Sequence, residues 1–138
     1  MTAAGDLLLG EFVRTLDDRY RLALPPALAD ALLAAGPGLL LAKERAGCLS
    51  LWPAAIWKPR LDAAMDVLRS KLGAGLLAQR TTQLQDLGRL LSTRQRPVTL
   101  AARGRLVVPE GFREFLAVAP GTDVVVVGAA VCVELWQP

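Results

Sequence analysis

The chain has 138 residues, 53% of them apolar and 21% charged, with a formal net charge of +3, enough for one ordinary domain or two very small ones and too apolar for a disordered chain. It holds no histidine, two cysteines 84 positions apart, and serine only at Ser50, Ser70 and Ser92, so a Ser–His or Cys–His nucleophile pair, a zinc site and a disulfide framework all lack raw material. The longest apolar stretch, Leu22 to Ala42, is broken by Pro25, Pro26, Asp30 and Pro37, short of the roughly 20 residues of a membrane helix; the first ten residues do not read as a secretory signal, and a cytoplasmic protein is expected.

Phe12 to Leu16 and Leu22 to Leu24 alternate as strands around a tight turn, Asp17-Asp18-Arg19-Tyr20, where an aspartate carboxylate accepts from nearby backbone N–H groups. This pattern reads as a hairpin. Pro25 and Pro26 open a short helix, Ala27 to Ala35, stopped by Gly36-Pro37-Gly38. Leu39 to Ala42 and Leu49 to Trp52 then read as two further strands.

In the middle of the chain Trp57, Leu61, Met65, Leu68 and Leu72 recur at helical spacing, the pattern of an amphipathic helix. A second helix, from about Leu76 to Leu91, carries Leu77, Leu84, Leu87 and Leu91 as its stripe, interrupted by Arg80 and weakened by Gly88; Gly73-Ala74-Gly75 between the two predicts a helical hairpin. Charge gathers here. Residues 54–96 hold eight basic and three acidic side chains, whereas residues 1–53 and residues 97–138 each sum to −1. Thirteen of the 16 cations are arginine, whose planar fork suits phosphates and base edges. Two readings of the hairpin stand side by side: it packs against the rest of the fold or a neighbouring subunit, or it lends cations to a nucleic-acid surface.

The last third repeats the first. At an offset of 84 residues, Arg19-Tyr20-Arg21-Leu22 falls on Arg103-Gly104-Arg105-Leu106, Pro25 on Pro109, and Cys48-Leu49-Ser50-Leu51-Trp52 on Cys132-Val133-Glu134-Leu135-Trp136, without a gap. Pro109 to Leu116 echoes the short helix, ended by Pro120-Gly121, and Val124 to Val127 and Val131 to Trp136 echo its two strands. Each copy is thus β-β-α-β-β. A unit of that size rarely holds a core of its own, so the two copies are expected to share one, as an intramolecular pseudo-dimer. The fold class read here is mainly β with short helices (α+β): a repeat over residues 9–53, a helical hairpin over 54–93, and a second repeat over 94–138.

Gly10-Glu11, the run Leu16-Asp17-Asp18-Arg19-Tyr20-Arg21-Leu22 and Pro25 resemble the opening strand and Asp-x-x-x-Arg signature of the MraZ family, bacterial regulators built from two SpoVT/AbrB-type DNA-binding repeats. Leu100-Ala101-Ala102-Arg103-Gly104-Arg105-Leu106-Val107-Val108-Pro109 is similar to its second signature, and Gly128 followed by Glu134-Leu135-Trp136 to its closing strand. The resemblance covers nearly the whole chain. It implies a swapped-hairpin, AbrB-like double-psi-type barrel shared by both copies, and a ring-like homo-oligomer. It also implies sequence-directed control of the division and cell-wall gene cluster through double-stranded promoter repeats upstream of the protein's own gene, in the cytoplasm and on the nucleoid. No enzymatic activity, cofactor, metal, small-molecule substrate or membrane partner is implied. The signature arginine is the expected DNA contact, which by position carries to Arg21 and Arg105, with Arg19 and Arg103 as neighbouring cations. Asp17, Pro25, Pro109, Trp52 and Trp136 carry over as signature or structural positions. Turn-borne arginines on a rigid scaffold suit phosphates and guanine O6/N7, and a ring that presents several such turns gains through effective concentration what one chain of net charge +3 lacks.

Two departures fall inside the signature: Tyr20 stands where glycine is usual, and Ala101 replaces the second aspartate. A tyrosine in a turn that wants positive φ is strained, so the first turn takes a different form or the ring stacks on something. Without its aspartate, Arg105 is either freed for phosphate or less well positioned. Alternatives also attach to the other sites. Arg21 either contacts nucleic acid or simply pairs with Asp17 on the surface. Trp52 and Trp136 read as core or interface anchors, Cys48 and Cys132 as small buried residues, and the adjacent Asp17 and Asp18 as turn residues without a pocket for acid–base chemistry. An assembly module that keeps the ring but has weakened DNA contacts is the alternative function.

Overall fold

The computed structural model describes residues 7–73 and 77–138. Ala74, Gly75 and Leu76, part of the expected break and start of the second helix, lie outside them, as do the side chains of Leu68, Leu72, Leu77 and Arg80. In chain order the elements are β1 (Leu8–Thr15), β2 (Arg21–Ala23), α1 (Pro26–Ala34), β3 (Leu39–Arg45), β4 (Cys48–Pro53), α2 (Ala54–Gly73), α3 (Leu77–Thr93) and β5 (Gln95–Val98). After a 3₁₀ turn at Ala102–Gly104 come β6 (Arg105–Val107), α4 (Phe112–Leu116), β7 (Asp123–Ala130) and β8 (Val133–Trp136). The fold is mixed α and β, with antiparallel strands throughout. No helix among the described residues is long and apolar enough to cross a membrane.

The repeats interleave. Six strands form one sheet in the order β1-β7-β8-β4-β3-β5, and β2 pairs with β6 in a separate two-stranded ribbon. This corrects the expectation of a hairpin within each copy: the turns are tight, but β1 runs along β7 and β2 along β6. Period-two alternation fixes which face of a strand is apolar and is silent on its partner.

The registers place a pseudo-twofold axis through the molecule. Leu22 lies opposite its own repeat equivalent Leu106 in the ribbon, and Ser50 lies opposite its equivalent Glu134 where β4 meets β8. One irregularity interrupts the gapless alignment of the copies: the β3–β4 register shifts between Lys43 and Arg45. Glu44 is therefore a bulge residue, and β3 before it runs one position out of step with β7. With that step allowed for, β3 pairs with β5 as β7 pairs with β1.

Both copies supply the main core. Leu22, Leu24, Leu32, Leu41, Leu49 and Leu51 from the first meet Leu106, Val108, Leu116, Val124, Val133 and Leu135 from the second, all at 2% exposure or less. The sheet's inner face, the ribbon, α1 and α4 enclose this core. The sheet's outer face carries a second, smaller cluster of Ala42, Trp52 and Cys132, against which Trp57 of α2 and Ala129 pack. Trp57 meets Trp52 with ring centroids 5.4 Å apart, and the Arg60 guanidinium sits 4.9 Å over the Trp52 ring. Trp52 is thus a buried anchor; Trp136, half-buried, donates from Nε1 to Glu134 at 3.0 Å. Cys48 and Cys132 are both buried. Burial first, and then the nearby Glu134 and Glu44 carboxylates, push each thiol up to about 12, so neither is a nucleophile at neutral pH.

Candidate nucleic-acid interface

The ribbon decides where the signature arginines go. Leu22 and Leu106 point into the core at 0% exposure, so by alternation the flanking residues, Arg21, Ala23, Arg105 and Val107, share the outward face. Arg21 lies opposite Val107 and Arg105 opposite Ala23, which makes the two arginines diagonal neighbours, about 7–8 Å apart at the backbone. Arg19 and Arg103 sit in the two turns and are exposed. Cross-copy bonds extend the ribbon: Val108 donates to the Tyr20 carbonyl at 2.9 Å, and Leu24 to the Gly104 carbonyl at 3.0 Å.

The first turn is built on Asp17. Its Oδ1 accepts from the backbone N–H groups of Arg19 and Arg21, both at 2.8 Å, and its Oδ2 accepts from Arg21 Nε at 2.6 Å. Tyr20 N–H donates to the Asp17 carbonyl at 3.1 Å, and Asp17 N–H to the Arg21 carbonyl at 3.0 Å. These bonds hold the Asp17 carboxyl below its ordinary 3.8, the backbone N–H of Arg21 contributing most and the Arg21 guanidinium and Arg19 N–H adding to it. Among the described residues the contact to Asp17 uses only the Nε of Arg21. Both terminal nitrogens of the fork remain available for a guanine edge or a phosphate.

The second turn lacks the carboxylate and is shaped differently. Ala101 and Arg105 exchange both backbone bonds, at 2.8 and 3.3 Å, around a loop in which Arg103 (φ 65°) and Gly104 (φ 67°) are left-handed. Among the described residues no carboxylate pairs with Arg105 or Arg103.

Tyr20 keeps the left-handed conformation at φ 58°, and its ring packs against the core beneath Arg113, whose guanidinium carbon lies 4.1 Å from the ring centroid. Arg113 is itself held by a 2.8 Å bond from Nε to the Val108 carbonyl. A left-handed tyrosine costs about 1–3 kcal/mol, and a half-buried cation over a ring returns about 0.5–2 of it. The structure takes both alternatives left by the sequence: the first turn has one left-handed residue where the second has two, and the Tyr20 ring stacks. The equivalent position in the second copy has no room for a ring: a Cβ on Gly104 would stand 2.7 Å from the Cβ of Ala29. Ala29 and Arg113 are repeat equivalents, so the small pair Gly104/Ala29 answers the large pair Tyr20/Arg113. Arg113 is absent from the sequence-based site; the signal for it was a large residue at both members of one pair and a small residue at both members of the other.

No family model matches the chain. Among curated proteins it is similar to the transcriptional regulator MraZ of Roseiflexus sp. (strain RS-1), 30% identical over 132 residues that span 96% of this chain and 82% of the relative. The MraZ of Thiobacillus denitrificans (strain ATCC 25259 / T1) is 31% identical over 124 residues, 89% of this chain and 76% of the relative. The MraZ of Roseiflexus castenholzii (strain DSM 13941 / HLO8) gives 30% over 132 residues, with the same coverage as the first. The chain belongs to the MraZ family of transcriptional regulators. Within this MraZ-family chain the two copies of the signature face one another across a single ribbon, one locked by a carboxylate and the other by a glycine.

Proposed function

We propose that this chain is a sequence-directed, DNA-binding transcriptional regulator without enzymatic activity. It acts as a ring homo-oligomer on double-stranded promoter repeats upstream of its own gene, within the division and cell-wall gene cluster, in the cytoplasm and on the nucleoid. The observation that carries this reading is the ribbon, whose outward face presents Arg21 and Arg105 as diagonal neighbours with Arg19 and Arg103 in the adjoining turns. A two-stranded β-ribbon fits the major groove, and arginine forks there bond guanine O6 and N7. In this reading the chain divides into repeats over 9–53 and 94–138 about a helical segment over 54–93, and the two repeats close as a swapped-hairpin, double-psi-type barrel that holds the ribbon rigid.

The test compares wild type with the Arg21→Ala, Arg105→Ala double variant on DNA from upstream of the gene, with scrambled DNA of equal length as control. Wild type is expected to prefer the native sequence, and the folded variant to lose that preference. Equal binding of native and scrambled DNA by wild type at low salt would overturn the reading. The second reading, an assembly module with weakened DNA contacts, draws on Ala101, which leaves Arg105 without a carboxylate to orient it; it requires that the double variant bind DNA as wild type does.

A further inference from the structure

A cleft of about 250 Å³ lies where α2, the end of α3 and the start of β5 meet the sheet's outer face. It is lined by Ala42 and Trp52 of the sheet, Trp57 and Arg60 of α2, Leu91 of α3 and Gln95 of β5, and by no residue of the ribbon. Trp57 Nε1, a donor, and Gln95 Oε1, an acceptor, are both buried without a hydrogen-bond partner among the described residues. Buried polar groups are bonded almost without exception, because an unpaired one forfeits its hydration for nothing. The other two indoles follow this rule. Trp52 donates to Ser50 Oγ at 2.8 Å, which donates on to Glu44 Oε1 at 2.6 Å, and Trp136 donates to Glu134. An unpaired donor and an unpaired acceptor on the walls of one largely apolar cleft are what a ligand site presents.

Charge specifies the ligand further. Of the three cations that line the cleft, Arg94 is held by the Lys43 and Glu44 carbonyls at 2.9 and 3.4 Å, and the Lys43 ammonium lies over the Phe112 and Phe115 rings. Arg60 is exposed and makes no ion pair among the described residues. Its guanidinium lies 4.9 Å from the Trp52 ring centroid and 5.7 Å from that of Trp57, a position that leaves its N–H fork to an anion. We infer that this cleft binds a mononucleotide. The base lies in the cleft against Trp52 and Leu91, accepts from Trp57 Nε1 and donates to Gln95 Oε1, and the phosphate meets Arg60. A nucleobase edge carries donors and acceptors side by side, and its flat face suits an indole. A cleft of this size takes the base and leaves ribose and phosphate on the solvent side, where Arg60 is exposed. Simpler molecules meet only part of the set: a neutral amide lacks the charge, and a carboxylate lacks the donor. The inference is independent of what the ribbon binds.

Isothermal titration calorimetry of the full chain with the 5′-monophosphates of adenosine, cytidine, guanosine and uridine tests this. At least one of them is expected to bind, at one site per chain, and its nucleoside, which lacks the phosphate, to bind about tenfold more weakly. Arg60→Ala, Gln95→Leu and Trp57→Phe, each checked for folding by circular dichroism, are expected to weaken the nucleotide by about the same factor. The ribbon variant Arg21→Ala, Arg105→Ala is expected to bind it as wild type does. No binding of any of the four at millimolar concentration would overturn the inference and leave the ribbon reading untouched. Binding that the ribbon variant loses and Arg60→Ala keeps would put the nucleotide on the ribbon and overturn the cleft as its site. A nucleoside that binds as tightly as its nucleotide would show that no phosphate is held, and would overturn the ligand class; this comparison needs no variant.

Discussion

The two signature turns carry the same arginines on the same ribbon and are stabilised by different means. In the first, a carboxylate organises the backbone and orients Arg21, and a bulky left-handed residue is tolerated because Arg113 covers its ring. In the second, no carboxylate is present, the backbone turns through two left-handed residues, and glycine is required because Ala29 leaves no space. A duplicated frame thus conserves where the cations stand while the means of holding each turn diverge. Each divergence is matched by its partner across the copies, Tyr20 with Arg113 and Gly104 with Ala29.

The sharpest way to break this comparison is to force one turn into the other's chemistry. Gly104→Tyr meets the Ala29 Cβ and keeps a positive φ, so it is expected to lower stability by about 2–4 kcal/mol, the sum of overpacking and left-handed strain. Urea denaturation measures it; an unchanged midpoint would show that the second turn has room the structure denies it. Next in size are the arginines singly. Arg21→Ala and Arg105→Ala are each expected to weaken binding to the native DNA by about 1–3 kcal/mol, the usual worth of a base-reading arginine. A titration in which only one of them matters would make the ribbon a one-sided reader.

Smaller effects sharpen the comparison. Asp17→Ala removes the acceptor of two turn N–H groups and leaves Arg21 unoriented, and a loss of affinity of about tenfold is expected, the low end of losing the arginine itself; Ala101→Asp is expected to move affinity the other way by a lesser factor. The smallest effect is a titration. Because the Asp17 carboxyl is held below its ordinary 3.8, its contribution is fully present above that value and is lost only as pH falls through the lower, folded one. The amide signals of Arg19 and Arg21 are therefore expected to shift with a midpoint below 3.8; a midpoint at or above that value would contradict the bonding described for this turn.

Much of this was legible in the sequence. The offset of 84 residues located both turns, both short helices and the two strand pairs that close each copy, because duplicated turn residues and prolines survive where backbone geometry needs them. Arg21 and Arg105 were placed as equivalents on the same grounds. What was not legible is partnership. Nothing in the alternation of Phe12 to Leu16 says that β1 runs beside β7, and nothing around Glu44 marks it as a bulge, since an exposed glutamate fits a regular strand edge equally well. Tyr20 looked like a conflict with its turn because the residue that resolves it, Arg113, lies 93 positions away in the chain.

The central claim is that both turns of one ribbon engage DNA, and the dependence of binding on salt tests it most directly. Each arginine that meets a phosphate or the charged groove displaces counterions, so the slope of log affinity against log salt is expected to flatten by about 1 when Arg21 is replaced by alanine, and again when Arg105 is replaced in the same chain. Two successive changes of that kind, in proteins that keep their fold and oligomeric mass, are what the ribbon predicts. A slope that both substitutions leave untouched would contradict it.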